Sequence, residues 1–379
     1  MNRRTALTAL TTCVIGGIAG CLRGGPQEPT TTRSDGLSAS LDGTSRTYAG
    51  DRRRTGAGTR GRGLTERPER AWRFRTGETI QSMPAVVDGT VYAGSWDGSI
   101  YALDGVTGEV VWSVSTDRHV VSSPAVRDGV VYAASMAGTA LAIDAGSGDV
   151  RWRVSFGGPV YASPLIAEGI VVLPVLDGTI RALDTTTAEE RWRVEVGRPV
   201  FCTPAFDDGT VYVAGYDRHV YAVDVVTGDV RWTTDVGTLH YTAPAIVDGT
   251  VYLGRGKIYA IDASTGERRW TAVDDAGYGS SPAVTAETIF IGTQDLVALD
   301  AATGEERWRF DPGERVECSP IVTGNTVYVS AEDDTVYAVD ARSGDVSWER
   351  SLGASGVALT ALPESLLVPT DEGLFHLVN

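Results

Sequence analysis

Tryptophan recurs along this chain at nearly constant spacing. The intervals between eight of the nine tryptophans are 40, 40, 40, 40, 38, 38 and 40 residues. An Asp stands eight residues before seven of them, and a Pro stands twelve residues after seven of them. A period near 40 residues, made of short strands, is typical of the blades of a β-propeller. The repeated positions are Trp72, Trp112, Trp152, Trp192, Trp232, Trp270, Trp308 and Trp348, with Asp104, Asp144, Asp184, Asp224, Asp262, Asp300 and Asp340.

Each repeat predicts four strands. Turns such as Asp88-Gly89 separate short apolar runs, and Asp-Gly between such runs is a strong hairpin signal. The runs are apolar on both faces, as in residues 130–134, so we expect neighbouring blades to cover both faces. The repeated Pro fits the innermost strand, whose edge on the channel makes no ladder hydrogen bond. We therefore place the Pro strand inside and the Trp strand outside.

The two ends of the repeat region complement each other. Trp72 comes with an outer strand only, whereas the last copy stops after its third strand, at Leu374 to Val378. We predict that residues 72–76 (Trp72 to Thr76) supply the outer strand of the eighth blade, which leaves no open sheet edge. The predicted fold of residues 71–379 is all-β: an eight-bladed β-propeller of four-stranded antiparallel blades.

One turn breaks the pattern. The turn before each Trp ends in Gly in six repeats, but Ala188 takes that place in the third blade. Because Gly accepts a left-handed backbone without strain, we expect the turn at Ala188 to be strained or differently shaped.

The first 20 residues have the anatomy of an export signal. Arg3 and Arg4 precede an uncharged run, Thr5 to Gly20, that is too short and too rich in Thr and Gly to span a bilayer. The paired arginines are similar to a twin-arginine signal. Residues 18–21 resemble the lipobox of secreted lipoproteins, in particular those of salt-loving archaea, which implies that Cys21 becomes lipidated. A cleaved signal with an incidental cysteine is the alternative.

Charge divides unevenly along the chain. Residues 1–70 hold 12 Arg against six Asp and Glu, which leaves 21 basic and 43 acidic residues in the propeller region. Residues 21–70 are therefore expected to be a flexible basic linker in front of an acidic body. The acidity argues against nucleic acid as a partner. It favours solvation in high salt over binding to a cationic partner.

The repeats resemble those of one known family. The segments 101–112 (YALDGVTGEVVW) and 123–126 (SPAV) are similar to the repeats of pyrroloquinoline-quinone (PQQ) type propellers, and the likeness covers every repeat. That family contains quinoprotein dehydrogenases and also cofactor-free scaffolds, among them BamB, the lipoprotein partner in bacterial outer-membrane β-barrel assembly. Residues 48–58 resemble a short motif that precedes the first blade in similar archaeal propellers, so part of the linker is expected to lie against the disc.

A quinoprotein dehydrogenase needs a set of site residues that cannot be recognised in this sequence. The resemblance implies adjacent cysteines over the quinone and a calcium held by oxygen ligands. Cys202 and Cys318 are far apart and are expected to be buried thiols, and the other two cysteines lie in the leader. The repeated Asp residues occupy the same position in successive repeats, which indicates a structural turn and not a unique catalytic or metal site. We predict no enzyme activity, no cofactor and no metal; PQQ and calcium belong only to the alternative, a quinoprotein dehydrogenase.

The loops at one face of the disc supply the candidate binding residues. Aromatic side chains with Arg are the usual anchors of interfaces, although each of them could instead cap a seam between blades. Blades five and six each lose two residues, which predicts a notch in the rim near His240, Tyr241, Asp274, Asp275 and Tyr278. His219 and His240 lack a third ligand, so they predict no metal site. The candidate face comprises Trp96, Arg118, His119, Tyr216, Arg218, His219, His240, Tyr241, Tyr278 and Arg315.

These observations predict a non-enzymatic propeller that is lipid-anchored at the outer face of the cytoplasmic membrane. It is expected to be a monomer and to bind a protein or a small ligand as a scaffold or platform. A BamB-type role requires a cell with an outer membrane, which the archaeal style of the leader disfavours.

Overall fold

The computed structural model describes residues 28–34, 41, 45, 49–57, 63–64, 66–237, 241–276, 280–316, 318–353 and 358–379. All of the regular secondary structure in these ranges is β-strand. Nowhere in them is there a helix long and apolar enough to cross a membrane.

Two strands precede the first blade, and the remaining strands follow in blade order. The first two are β1 (Thr30–Arg33) and β2 (Glu69–Arg75). Blades one to four contain β3 (Ala85–Val87), β4 (Thr90–Gly94), β5 (Ser99–Asp104), β6 (Val110–Ser115), β7 (Ala125–Arg127), β8 (Val130–Ala134), β9 (Thr139–Asp144), β10 (Val150–Ser155), β11 (Leu165–Ala167), β12 (Ile170–Val175), β13 (Thr179–Asp184), β14 (Glu190–Glu195), β15 (Ala205–Asp207), β16 (Thr210–Ala214), β17 (His219–Asp224) and β18 (Val230–Asp235). Blades five to eight contain β19 (Ala245–Val247), β20 (Thr250–Asp262), β21 (Arg268–Ala276), β22 (Ala283–Val284), β23 (Thr288–Gly292), β24 (Leu296–Asp300), β25 (Glu306–Phe310), β26 (Ile321–Thr323), β27 (Thr326–Ser330), β28 (Thr335–Asp340), β29 (Val346–Ser351), β30 (Thr360–Leu362), β31 (Ser365–Thr370) and β32 (Gly373–Val378).

The predicted eight-bladed propeller of antiparallel blades is confirmed. In blade five the second and third strands run on without a break as β20, whose first part pairs with β19 and whose second part pairs with β21. The shortened loop of that repeat therefore gives a continuous bent strand.

The ring closes as predicted. In sheet order, β2 lies beside β32, which pairs with β31 and then β30. The register runs from Glu69 opposite Val378 to Phe74 opposite Leu374. The closing strand is longer at its start than the predicted 72–76, because Glu69 and Arg70 also find partners on β32.

A fifth strand lies outside the eighth blade. β1 pairs antiparallel with β2, from Thr30 opposite Arg75 to Arg33 opposite Trp72. The Thr31 hydroxyl also donates to the carbonyl oxygen of Gly108 in blade one, at 2.6 Å. The segment expected to be a flexible linker thus contacts the disc at its start, because the outer edge of β2 offers unpaired backbone groups.

Each repeated Trp ties its blade to the next one. The indole N–H of Trp112 donates to the carbonyl oxygen of Ala145 in the following blade, at 2.9 Å. Its ring lies against Gly148, where a Cβ would come within 2.8 Å of the indole. The equivalent bond to the next blade's turn recurs at six more tryptophans: Trp72, Trp152, Trp192, Trp232, Trp270 and Trp308. The Trp and the turn that it bonds therefore form one blade-to-blade contact.

The turn at Ala188 is strained but not differently shaped. Ala188 has a φ of +61°, in the left-handed region that its glycine counterparts occupy. Its N–H bonds the Asp184 carbonyl oxygen at 3.0 Å, as the Gly148 N–H bonds Asp144 at 2.9 Å. The hydrogen bonds of the turn therefore outweigh the cost of a left-handed alanine, and of the two outcomes expected the structure shows the strained turn.

The repeated Asp caps the turn that follows it. One carboxylate oxygen of Asp144 accepts the N–H groups of Gly146 and Ser147 at 3.1 and 3.0 Å. The other accepts a bond from Arg151 at 2.7 Å. The Arg151 guanidinium, followed by the backbone donors, lowers the pKa of Asp144 to about 2. In this geometry the Asp organises a surface turn.

Both described cysteines stand three residues ahead of an inner strand and are free and buried. Each accepts a backbone N–H from the second strand of its own blade: Ala214 donates to Cys202 at 3.4 Å and Ser330 to Cys318 at 2.9 Å. In blade one, Ser82 accepts the equivalent bond from Gly94 at 2.7 Å. Burial raises the pKa of Cys202 to about 12 and that of Cys318 to about 11. The thiols therefore act as buried, serine-like acceptors.

Candidate binding site at the mouth of the channel

Three consecutive blades place an aromatic ring at the same end of the channel. Tyr161, Phe201 and Tyr241 each stand three residues before the repeated Pro, just ahead of an inner strand. The ring of Tyr216, in the turn after β16, joins them. We call these four side chains the aromatic mouth.

The rings of the aromatic mouth pack edge to face. The Phe201 ring centroid lies 5.7 Å from that of Tyr161, 5.3 Å from that of Tyr241 and 5.0 Å from that of Tyr216. Tyr216 and Tyr241 are 4.9 Å apart at 78°. Such pairs attract each other because the edge of one ring is positive and the face of the other is negative. The cluster is therefore a preformed apolar surface.

The aromatic mouth has two features that a ligand could use. Tyr161 is 38% exposed, although it is a large aromatic residue. The hydroxyl oxygen of Tyr216 is buried and has no hydrogen-bond partner in the described part of the chain. Buried polar atoms usually have a partner, so this hydroxyl is available to a bound group.

The opposite end of the channel is crossed by residues 49–57, which we call the strap. The strap accepts one backbone N–H from each of four successive blades. Each donor stands two residues after the repeated Pro: Phe206 to the Arg52 oxygen at 2.8 Å, Ile246 to Arg53 at 2.9 Å, Val284 to Thr55 at 2.6 Å and Val322 to Gly56 at 2.7 Å. Ser45, just ahead of the strap, exchanges two backbone bonds with Val86 of blade one.

The strap and the aromatic mouth lie at opposite ends of the same inner segments. In blade four, Phe201 belongs to the mouth and Phe206 bonds the strap. Five residues of extended chain separate them, which is about 16 Å. The strap therefore crosses the end of the channel that faces away from the aromatic mouth.

Two of the predicted face residues cap blade seams. The rings of Trp96 and His119 stack at 5.1 Å, and the His119 ring donates to the Trp96 carbonyl oxygen. The backbone N–H of Trp96 bonds Thr79 at 2.9 Å, and Met136 donates to His119 at 2.9 Å. These bonds link loops of successive blades, as expected of seam caps. Arg118 is exposed beside them.

The remaining predicted residues are spread around the same face. His219 lies 3.3 Å from the Asp217 carboxylate, and Arg315 lies 3.2 Å from Glu332. Arg218 has a φ of +75° in the turn before β17. Of the ten predicted residues, the structure brings Tyr216 and Tyr241 together in the aromatic mouth. His240 and Tyr278 lie outside the described residues.

Sequence reasoning missed Tyr161 and Phe201. Of the three aromatic residues at this repeat position, the sequence analysis singled out Tyr241 alone. The available signal was that the third residue before Pro is aromatic in three consecutive repeats and is Gln81 or Val121 in the first two.

The described residues do not fit the quinone and calcium site that the dehydrogenases of this fold imply. Among them, no three His, Cys, Asp or Glu side chains come together as possible metal ligands. The two described cysteines lie in blades four and seven and accept backbone hydrogen bonds there. We therefore derive no chemistry through that cofactor.

Solved structures share this architecture at low sequence identity. BamB from Moraxella catarrhalis superposes with a TM-score of 0.70 at 21% identity, covering 82% of this chain and 99% of that one. The computationally designed Ika8 protein gives 0.71 at 20% identity, with coverage of 79% and 96%. The quinohemoprotein alcohol dehydrogenase ADHIIG from Pseudomonas putida HK5 gives 0.74 at 15% identity, with coverage of 89% and 80%. At these identities the likeness supports the fold alone.

The sequence itself decides the family. No curated protein matches the chain. The family model described as outer membrane protein assembly factor BamB matches four overlapping stretches, residues 62–155, 118–200, 175–277 and 254–375. Together they cover residues 62–375, which is nearly all of the propeller and most of the chain. The chain belongs to the family of outer membrane protein assembly factor BamB.

Proposed function

We propose that this protein is a non-enzymatic scaffold, tethered outside the cytoplasmic membrane, that binds a protein partner at the aromatic mouth. The observation that carries the proposal is the packing of three tyrosine rings around Phe201 at 5.0–5.7 Å, with Tyr161 left exposed among them. Aromatic residues held rigidly at a surface lose little entropy on binding, and they are frequent hot spots of protein interfaces.

The chemistry of the mouth suits a protein segment with an apolar side chain. The edges and faces of the rings offer apolar area, and the Tyr216 hydroxyl can bond one polar group of the partner. The strap crosses the far end of the channel, so the partner approaches from the mouth.

The tether is proposed from the leader. Arg3, Arg4 and Cys21 lie outside the described residues, and their motifs support export followed by lipidation. The acidic surface suits an extracytoplasmic environment of high salt.

Photocross-linking tests the binding site. A photoreactive residue replaces Tyr161 in the full chain, and in a matched protein it replaces Val226, which is 62% exposed on a turn at the other end of blade four. In host membranes we expect one discrete adduct from position 161 and none from position 226. A second substitution, Tyr241→Ala, should weaken the adduct from position 161 without changing the yield of folded protein. Equal adducts from both positions would contradict the proposal.

The dehydrogenase alternative has its own test. The purified full chain is titrated with PQQ and calcium, and the reduction of an artificial electron-accepting dye is followed with alcohols as substrates. We expect no uptake of quinone and no dye reduction. Dye reduction that depends on PQQ would show that the protein is a dehydrogenase and would refute the proposed scaffold function.

A further inference from the structure

We propose that the channel end opposite the aromatic mouth is a peptide-binding site for a short segment that contains a turn and carries one buried arginine, and that the strap is its resident ligand. The proposal depends neither on the tether nor on the partner at the aromatic mouth.

Equivalent backbone N–H groups on four inner strands donate hydrogen bonds to the main chain of the strap. The N–H groups of Phe206, Ile246, Val284 and Val322 occupy the same position in four successive inner strands, and each bonds a strap carbonyl at 2.6–2.9 Å. An inner strand has a free edge on the channel, and a chain crossing that edge can satisfy its donors. Because backbone groups do the binding, this part of the site accepts many sequences.

Arginine gives the site its specificity. Arg54 is 1% exposed. Its Nε donates to the carbonyl oxygen of Pro204 at 2.9 Å, and one terminal nitrogen donates to that of Pro164 at 3.3 Å. The two acceptors belong to neighbouring blades. A planar guanidinium can reach both with one side chain, whereas a lysine ammonium presents a single point of donation.

The backbone around Arg54 is held in an unusual conformation. Arg54 has a φ of +56°, in the left-handed region. The Asp51 carboxylate accepts the N–H and the hydroxyl of Thr55 at 3.1 and 2.5 Å, which closes a turn around it. Strain of this kind persists where surrounding contacts overdetermine the conformation. The turn therefore aims the guanidinium into the disc.

The residue after this turn must be small. Gly56 has a φ of +60°, and a Cβ on it would lie 2.9 Å from the Ala283 Cβ and 3.2 Å from the Pro320 oxygen. The segment that fits the site therefore has Asp at 51, Arg at 54, Thr at 55 and Gly at 56.

Arg53 provides an internal contrast. It neighbours Arg54, but its side chain is exposed and pairs with Asp207 at 2.8 Å on the surface. Exposed ion pairs contribute little, whereas a buried charged donor with two acceptors contributes much more. The two arginines should therefore differ strongly in their effect on binding.

Cleavage of the full chain tests the proposal. Protease sites are placed within residues 35–40 and 58–62, so that cutting leaves the strap bound without a covalent link. We expect the fragment to stay with the propeller on gel filtration and to be displaced by a synthetic peptide of residues 45–57. The peptide with Arg54→Ala should bind at least about tenfold more weakly, and the one with Arg54→Lys also more weakly. The peptide with Arg53→Ala should bind within about threefold of the parent.

Two results would overturn the proposal. One is loss of the fragment after cutting, with no uptake of the synthetic peptide by a propeller that keeps its circular dichroism spectrum. The other is equal binding of the Arg54→Ala and Arg53→Ala peptides.

If cutting unfolds the protein, amide hydrogen exchange on the intact chain still tests the proposal. Amide hydrogen exchange is followed at Phe206, Ile246, Val284 and Val322. In the intact Arg54→Ala variant we expect all four amides to exchange faster together, while Arg53→Ala leaves them protected. Unchanged protection in Arg54→Ala would show that the arginine does not hold the strap.

Discussion

The indole N–H of Trp348 donates to the carbonyl oxygen of Leu64 at 2.8 Å. In the other blades the acceptor of this bond lies in the next blade's turn between its third and outer strands. The eighth blade has no such turn, because its outer strand comes from the start of the repeat region. Leu64 takes its place, and the Leu64 N–H also donates to the Tyr328 hydroxyl at 2.5 Å. Closure of the ring therefore involves a short segment ahead of β2 as well as β2 itself.

The first prediction concerns Leu64→Ala. The Leu64 side chain is fully buried in a cluster with Tyr328, Trp348 and Leu377. Removing it should lower the free energy of unfolding by about 2–4 kcal/mol, as for other buried leucines. Chemical denaturation followed by tryptophan fluorescence measures the change. Val226→Ala, on an exposed turn, is the matched control and should stay within about 0.5 kcal/mol. Equal effects of the two substitutions would mean that Leu64 is not part of the closure.

His376 lies at the same closure and has an unusual environment. It stands on β32 opposite Trp72, at the position where the other seven blades have Ala opposite Trp. Both ring nitrogens are buried without a hydrogen-bond partner in the described part of the chain. The ring packs against Trp72 at 5.1 Å. Burial lowers the pKa of His376 to about 4.

The second prediction is that acid weakens the closure through His376. The unfolded chain takes up a proton on this residue below about pH 6.5, whereas the folded chain does so only near pH 4. Stability is therefore lost as the pH falls from about 6.5 to about 4, by about 3 kcal/mol in total. Denaturation at a series of pH values measures the slope. His376→Leu should remove this part of the slope, while Leu367→Ala beside it should lower stability equally at every pH. A slope that persists in His376→Leu would assign the effect to other groups.

The third prediction uses the alanine in the turn of blade three. Ala188→Gly relieves a left-handed alanine, which costs about 1–2 kcal/mol, and adds the flexibility of glycine, about 0.5–1 kcal/mol. The variant should be more stable by about 0.5–1 kcal/mol. Gly148→Ala in blade two should do the reverse, because its Cβ would lie 2.8 Å from the Trp112 ring. Thermal unfolding of the two variants and the parent protein measures these changes in stability. A loss of stability in Ala188→Gly would show that packing of the Ala188 methyl group stabilises the fold by more than the left-handed backbone costs.

The disc could be predicted from the sequence because it repeats. A Trp, an Asp and a Pro at fixed phase define the outer strand, the turn and the inner strand. Because the repeat occurs eight times, a wrong strand assignment in one copy is recognised by comparison with the others. The swapped closing strand followed from counting strands at the two ends. What the repeat could not show was the function of the residues ahead of it.

The strap and β1 do not follow from the repeat. Contact of the strap with the disc was expected only from the resemblance of residues 48–58 to a motif ahead of the first blade, and β1 was not predicted. They carry no periodic apolar residues, and most of their contacts are backbone bonds to strand edges, which leave no pattern in sequence. The burial of Arg54 is invisible for the same reason, since Arg52, Arg53 and Arg54 look alike in a basic run. In the aromatic mouth, Tyr216 and Tyr241 were predicted as loop aromatics, but Phe201, at the centre of the cluster, was not, although it occupies the same repeat position as Tyr241.

The last prediction joins β1 to the proposed lipid anchor. Eight residues lie between Cys21 and Thr30, so the nine Cα-to-Cα steps between the lipid and β1 can span at most about 30 Å. A free linker up to Glu69 would instead allow about 160 Å. The rim beside β1 should therefore stay near the bilayer. A fluorophore on Val106, in the blade-one turn next to Gly108, should be quenched by headgroup-attached quenchers more strongly than one on Val226, three blades further round. Replacing Thr31 and Thr32 with Pro should equalise the two signals while the protein stays on the vesicles, because proline cannot pair with β2. Cys21→Ser should release the protein altogether, which distinguishes a failed anchor from a failed docking of β1. Equal quenching at both positions with β1 intact would show that the strand does not hold the disc at the membrane.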